Sequence, residues 1–328
     1  MPLNGAPRRK PKFMLDFIRA HPPRNTIGCA PLTSELDGEY LGEERGLYPG
    51  RQNVAPASHL EHGLSLTKKI VPRDAEGNPD PEGKVGFMAL GLSNTSSEFQ
   101  VFQHLVSACG TVNASLVLTN AAQPRKSAEV MAVADSNYWR VVERRVKQDK
   151  LTPLQVQVVW IKTSLKEPKG PFPSEPKRLA QCLRDTLHIV LSRFPNVQIA
   201  YLSSRSYGGY SEIPLSPEPH AYESAFAIKW LIGSQLTGDP ELNPFAEKGP
   251  VRCPWLSWGP YLWADGVSPR DDGLTYVRED MIWDGVHPSP SGRNKIAALL
   301  FGFFALDRTA ARWFLSPGIA ELQESVVR

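Results

Sequence analysis

From about residue 84 onward, apolar residues fall into two alternating patterns. Four short runs, VGFMAL (85–90), SLVLTN (115–120), VQVVWI (156–161) and VQIAYLS (197–203), have strand length and stay apolar over consecutive positions. That is the signature of strands covered on both faces. Between them lie helical patterns. Phe99, Phe102, Leu105 and Val106 share one face, and SNYWRVVERRVKQ (136–148) and RLAQCLRDTLHIVLSRF (178–194) are amphipathic at the helical period. Strands alternating with helices predict βαβ units and a parallel sheet between helical layers. With right-handed crossovers the four strands should be adjacent and parallel, and the 275–283 region is the expected source of any short fifth strand.

Two regions break the rhythm. Residues 1–83 are rich in Gly, Pro and charge and predict an extended N-terminal segment packed on the core, ending in RDAEGNPDPEGK. Residues 84–328 then read as one domain with a loop-rich insertion at about 204–280. Within the insertion, one helix pattern (ESAFAIKWLIGSQL) precedes the Trp- and Pro-rich CPWLSWGPYLWADG. SGRNKIAALLFGFFAL closes the domain as a strongly apolar helix, and no internal repeat is evident.

Composition narrows the classes. At 41% hydrophobic and 22% charged, the chain can build a core and is not a disordered tail. A net charge of +3 is too balanced for a protein built around a nucleic-acid backbone. No run approaches the ~18 apolar residues of a membrane span. Thirty prolines and 25 glycines predict long structured loops, where sites are commonly built. Cys109 and Cys182 fall in helical patterns and read as buried thiols, while Cys29 and Cys253 lie in loops where pairing is open. The stretch 1–12 is basic and Pro-rich with no apolar run after it, so the chain as written is expected to carry no signal peptide. The compartment stays open between the cytoplasm and, behind a leader, a secreted or periplasmic location.

In an open parallel sheet, ligands bind at the carboxyl ends of the strands. GLSNTSSEF (91–99) follows the first strand, placing Ser93 on a tight turn at a helix start. Alone, Ser93 reads equally as an N-cap. The late WDGVHPSPSG (283–292) changes that balance. A serine hydroxyl is a weak nucleophile until an imidazole takes its proton, and the imidazole needs a carboxylate to fix its tautomer. Asp284 and His287, three residues apart before a helix, supply both from one turn, although a lone Asp-x-x-His is also a common surface turn.

Together these motifs resemble the SGNH (GDSL-like) hydrolases, over about residues 84 to 305. GLYPG, LSNTSSEF, VVWIK, YLSSRSYGGY and WDGVHPSPSG look like a bacterial subgroup of that family. The resemblance implies a flavodoxin-like three-layer α/β/α sandwich, with Ser93 as nucleophile and Asp284 and His287 as its relay. It also implies an oxyanion hole, usually a Gly after the second strand and an Asn after the third. Here Ala121 or Ala122 stands where Gly is expected, and no Gly-x-Asn-Asp follows the third strand. The amides of Ser93 and Ala121, the Asn120 side chain and Lys162 are the candidate donors. Asn120 also reads as a turn former, and Lys162 as a solvated lysine.

Arg205, Tyr207 and Trp263 are candidate substrate contacts. Against that, Arg205 reads as a salt-bridged loop residue, and the Trp255, Trp258, Tyr261 and Trp263 group as core. HLEH (59–62) offers two histidines that could bind zinc, but without a third ligand they read as a surface pair. No G-x-x-x-x-G-K-[ST] or G-x-G-x-x-G occurs, which disfavours a nucleotide enzyme. The expected activity is hydrolysis of short acyl esters, acetyl first, on a polar or carbohydrate scaffold, through an acyl-enzyme and without metal or organic cofactor. The alternative is a glycan-binding or scaffolding protein of the same fold with a degraded oxyanion hole.

Overall fold

The structure, a computed structural model, describes residue 26 and residues 28–326. The basic stretch 1–12 lies outside the described residues. A small antiparallel hairpin, β1 (Glu39–Tyr40) and β2 (Glu43–Glu44), precedes the central sheet. That sheet comprises β3 (Val85–Gly91), β4 (Leu116–Asn120), β5 (Val156–Lys162), β6 (Ile199–Leu202) and β7 (Trp255–Trp258). Every pairing in it is parallel, and the spatial order is β4-β3-β5-β6-β7. The helices are α1 (Ala57–Thr67), α2 (Ser93–Ala108), α3 (Ala128–Met131), α4 (Asn137–Gln148), α5 (Ser174–Arg193), α6 (His220–Leu236), α7 (Pro290–Leu306), α8 (Ala311–Phe314) and α9 (Pro317–Val326).

The sheet separates two apolar clusters, as expected of a three-layer sandwich. Side chains alternate across a strand. Val85, Phe87 and Ala89 of β3 therefore join Phe99 and Phe102 of α2 and Leu300 and Phe304 of α7. Met88 and Leu90 face the other way, onto Trp139 and Val142 of α4 and Leu183 and Leu187 of α5. All seven residues of β3 and of β5 are buried, which explains their unbroken apolar runs.

Four expectations need correction. The fifth strand is β7, from the Trp- and Pro-rich stretch, whereas 278–280 form a 3₁₀ turn. Residues 204–280 therefore do not interrupt the sandwich, because α6 and β7 continue its alternation. β7 escapes a pattern search because it is only four residues long and follows Pro254, a residue typical of strand starts and edges. Leu105 is exposed, leaving Phe99 and Phe102 to anchor α2. All four cysteines are free; Cys29 and Cys253 are the buried ones, while Cys109 and Cys182 are partly exposed.

Gly91 fixes the handover from β3 to α2. It has φ +150, and a Cβ there would stand 2.0 Å from Lys162 O and 2.6 Å from Thr95 Oγ1. The turn thus presses directly on the end of β5. Gly91→Ala should lose about 3 kcal/mol of stability through overpacking, seen as a melting temperature lowered by several degrees. An unchanged melting temperature would show that the contact can relax.

Candidate active site

α2 starts at Ser93, but the residue preceding the helix, Leu92, is extended and has no side-chain capping bond. The Ser93 hydroxyl is not used as a cap. Its Oγ lies 2.7 Å from His287 Nε2. On the far side of the ring, His287 Nδ1 is 2.6 Å from Asp284 Oδ2. A carboxylate can only accept, so Nδ1 carries the proton and Nε2 is left to accept from the serine. Asp284 Oδ1 accepts the backbone amides of Val286 at 3.0 Å and His287 at 2.9 Å. Both carboxylate oxygens are therefore engaged, and the imidazole is aimed by its own turn.

That turn is tied down from several directions. Ile282 N donates to His287 O, and Gly285 N to Ile282 O. Gly285 has φ +70, and a Cβ there would lie 1.6 Å from Tyr210 O, so only glycine lets the 208–212 loop press this close. Glu212 N donates to Asp284 O at 2.9 Å, and Asn94 Nδ2 to Val286 O at 2.8 Å. Ser289 caps α7, with Pro290 in its first turn, so the His287 loop feeds straight into a rigid helix.

Behind Ser93, the buried face of α2 is polar over its first two turns. Thr95 Oγ1 donates to Lys162 O at 2.6 Å, and Glu98 holds Lys162 Nζ with both oxygens at 2.7 Å. Glu98 and Lys162 are fully buried. Burial pushes the Lys162 ammonium down to about 8, against the opposing pull of Glu98. Asp284 shows the opposite balance. Burial alone would raise its carboxyl, but the His287 ring and the two amides hold it below its ordinary range.

The expected oxyanion donors are mostly committed elsewhere. Ala121 N extends the sheet ladder to Ala89 O at 3.0 Å, and Asn120 Nδ2 donates to Ser96 O at 2.7 Å. Lys162 is a buried ion-pair partner and not a solvated or site-facing lysine. The amide of Ser93, first residue of α2, has no intrahelical acceptor.

The expected substrate contacts also shift. Trp263 is buried and donates to Glu218 Oε1 at 2.8 Å, so it belongs to the core. Arg205 is buried within the fields of Glu98 and Glu218, and among the described residues it makes no salt bridge. Burial raises Glu218 to about 7 despite the bonds it accepts from Gly208 N, Trp263 Nε1 and Tyr222 N. Tyr207 is half-buried, packed edge-on to Tyr210 with ring centroids 5.0 Å apart.

The HLEH histidines part company. His59 is buried with Nε2 2.8 Å from Leu256 O, whereas His62 leans on Phe245. Among the described residues no group of three His, Cys, Asp or Glu is placed to hold a metal.

Sequence reasoning missed Asn94, Thr95 and Glu98, which brace the helix that starts at Ser93. Counting back from Phe102 at helical spacing reaches 99, 98, 95 and 94, so the buried stripe itself carried the signal. It also missed Trp283, which stands 44% exposed beside Asp284.

No family model matches this chain, and no curated protein matches it. Among solved structures, it is similar to protein YxiM from Bacillus subtilis at 12% identity and a TM-score of 0.35, covering 69% of this chain and 57% of that one. The chain thus spans little more than half of that structure. It is also similar to the periplasmic domain of a lipopolysaccharide acetyltransferase from Salmonella ser. Paratyphi A, at 12% identity and a TM-score of 0.38. That likeness covers 77% of this chain and 97% of the domain. At these scores neither likeness bears on what the site does.

Asp284→Asn removes a carboxylate that the fold holds below its ordinary range. The native charged form is favoured above the unfolded value near ~3.9, and that stabilisation is lost as pH falls through the lower native value. Wild type should therefore exceed the variant in stability at neutral pH, with the gap narrowing below about pH 4. Urea titrations of both proteins at pH 7 and pH 3 check this. A gap that stays constant would show that the carboxylate gains nothing from folding.

Proposed function

We propose that this chain is a serine ester hydrolase of the SGNH type, acting on short acyl esters, acetyl foremost, of a polar or carbohydrate substrate. The observation that carries the reading is the 2.7 Å approach of Ser93 Oγ to a His287 ring held on its other side by Asp284. In this reading Ser93 Oγ attacks the acyl carbon while its proton passes to His287 Nε2. The carbonyl oxygen becomes an oxyanion facing the Ser93 amide and the positive end of α2. Collapse expels the alcohol, protonated by His287. Water then gives its proton to His287, attacks the acyl-enzyme and releases the acid. Asp284 stabilises the imidazolium in both halves and keeps its own charge.

A second reading, a binding protein of the same fold, draws support from the donors already spent. Ala121, Asn120 and Lys162 all serve the fold. One missing oxyanion donor typically costs ~3 kcal/mol of transition-state stabilisation. The esterase reading therefore expects slow turnover.

The two readings separate with p-nitrophenyl acetate. Wild type should turn over, Ser93→Ala should not, and Asp284→Asn should fall by roughly three to four orders of magnitude. Equal rates for wild type and Ser93→Ala would leave the binding reading standing. Acetate should also be the fastest of a p-nitrophenyl chain-length series, and preference for octanoate would defeat the short-acyl assignment.

Trp283 bears on the scaffold that carries the acyl group. An exposed indole beside the relay is suited to stacking on a sugar face. Trp283→Ala should raise KM for acetylated xylan several-fold, with kcat and the rate on p-nitrophenyl acetate nearly unchanged. Parallel losses on both substrates would assign Trp283 to the fold of the loop.

A further inference from the structure

Five carboxylates are buried among the described residues: Glu98, Glu218, Glu223, Asp280 and Asp284. Glu98 is paired with Lys162, Asp280 with Lys295, Asp284 with His287 and Glu223 with His220. Glu218 alone has no ion-pair partner among the described residues. Its oxygens meet only N–H donors. Gly208 N lies 2.7 Å and Trp263 Nε1 2.8 Å from Oε1, and Tyr222 N lies 3.0 Å from Oε2. That surround suits the carboxylate, because the O–H of the acid would be turned on an N–H. Burial without a counter-ion favours the opposite state, in which the group is neutral. The contacts and the burial therefore pull Glu218 towards different protonation states.

What the three donors hold leads to the Asp284–His287 turn. Gly208 opens the loop that packs against it. Ser211 N donates to Gly208 O at 3.1 Å, and Glu212 N donates to Asp284 O at 2.9 Å. Between them, Tyr210 O presses on Gly285. Trp263 and Tyr222, with ring centroids 4.8 Å apart, hold Glu218 from the other side, Tyr222 in the first turn of α6. The other groups in its field are Arg205 and Tyr207 from its own loop, Tyr261 and Asp265 after β7, and Cys29 from the N-terminal segment. Arg205 attracts the charge on Glu218 and Asp265 opposes it. Burial pushes the two phenols and the thiol upward, away from neutral pH. His220, at the start of α6, is turned to Glu223 at 3.3 Å.

We propose that charged Glu218 is a positioning residue for the Asp284–His287 turn: it holds the 207–212 loop in place, and proton uptake by Glu218 loosens that loop and the turn with it. The proton comes from solvent and settles on a carboxylate oxygen, whose bond from an N–H is then lost. The remaining bonds change from charge-assisted to neutral, about half as strong. Burial raises the carboxyl to about 7, so the held state lies above that pH and the loosened state below it. The effect on rate rests on the esterase reading. The coupling of Glu218 to the loop does not.

The test that needs no turnover is an NMR titration of the full chain carrying Ser93→Ala, from pH 5 to 9. The Glu218 Cδ resonance should titrate near pH 7. The Trp263 indole N–H and the Gly208 and Glu212 amides should move with the same midpoint. In Glu218→Gln, whose amide copies the protonated acid, that shared titration should vanish. Should this variant not fold, the Cδ resonance of the native side chain still fixes the midpoint against which the others are compared. With Ser93 restored, wild type should exceed Glu218→Gln on p-nitrophenyl acetate about tenfold at pH 8.5, the scale of one charge-assisted hydrogen bond. The gap should close to within about twofold at pH 5.5, where wild type is itself protonated, and the loss should fall on kcat with KM unchanged. A ratio independent of pH would make Glu218 a residue of the fold alone and overturn the proposal. So would a Glu212 amide that ignores the Glu218 midpoint, or a Cδ resonance that does not titrate between pH 5 and 9. Absence of turnover in wild type would defeat the esterase reading, while the resonances still decide this one.

Discussion

The contact between Ser93 Oγ and His287 Nε2 joins residues 194 positions apart, and its length depends on where the first turns of α2 come to rest. Three consecutive inward positions of that helix settle the matter. Asn94 holds the carbonyl of Val286, Thr95 holds the carbonyl of Lys162, and Glu98 holds the Lys162 ammonium. Asn94 reaches the loop that bears the imidazole, while Thr95 and Glu98 reach the end of the neighbouring strand. The helix is thereby fixed both to the sheet and to the His287 loop, and a serine at its first residue inherits that position.

The Lys162–Glu98 pair is an expensive means of doing so. Removing two charges from water costs several kcal/mol per ion, and a well-packed apolar pair of the same volume is often at least as stable. Apolar contacts, however, would leave the helix freer to slide or rotate by a fraction of a turn. Two oxygens on one ammonium at 2.7 Å define its angle as well as its distance. The lowered Lys162 value records the burial cost that its partner only partly offsets. Positional accuracy at Ser93 is what this arrangement supplies, and stability alone does not account for it.

Legibility from the sequence followed the range of the interactions. The four longer strands announced themselves because double-sided burial forces unbroken apolar runs, and Asp284 and His287 because their geometry is local to one turn. β7 did not, since four residues with two tryptophans carry no period. The oxyanion candidates failed for a different reason. Whether Asn120, Ala121 or Lys162 faces the site depends on partners at 96, 89 and 98, and spacing along the chain is silent about such pairings. Arg205 and Trp263 were misplaced for the same cause, because the segment that buries them is read as loop when α6 and β7 are not joined to the sheet.

The two ends of the sheet are built on different terms. At the carboxyl ends, strand termini and the start of α2 converge by the geometry common to open parallel sheets, so a site there follows from the fold. The amino end of β7 has no such inheritance. Its cavity exists because α1 and the 238–248 segment, which come from the least periodic parts of the sequence, close around Trp255. Every other buried indole in the molecule found an acceptor, and Gln235 a few ångströms along the same wall has both its side-chain oxygen and nitrogen bonded. Acceptors were therefore within reach of this part of the fold. The N–H of Trp255 left bare there is a desolvation cost that no hydrogen bond of the fold offsets.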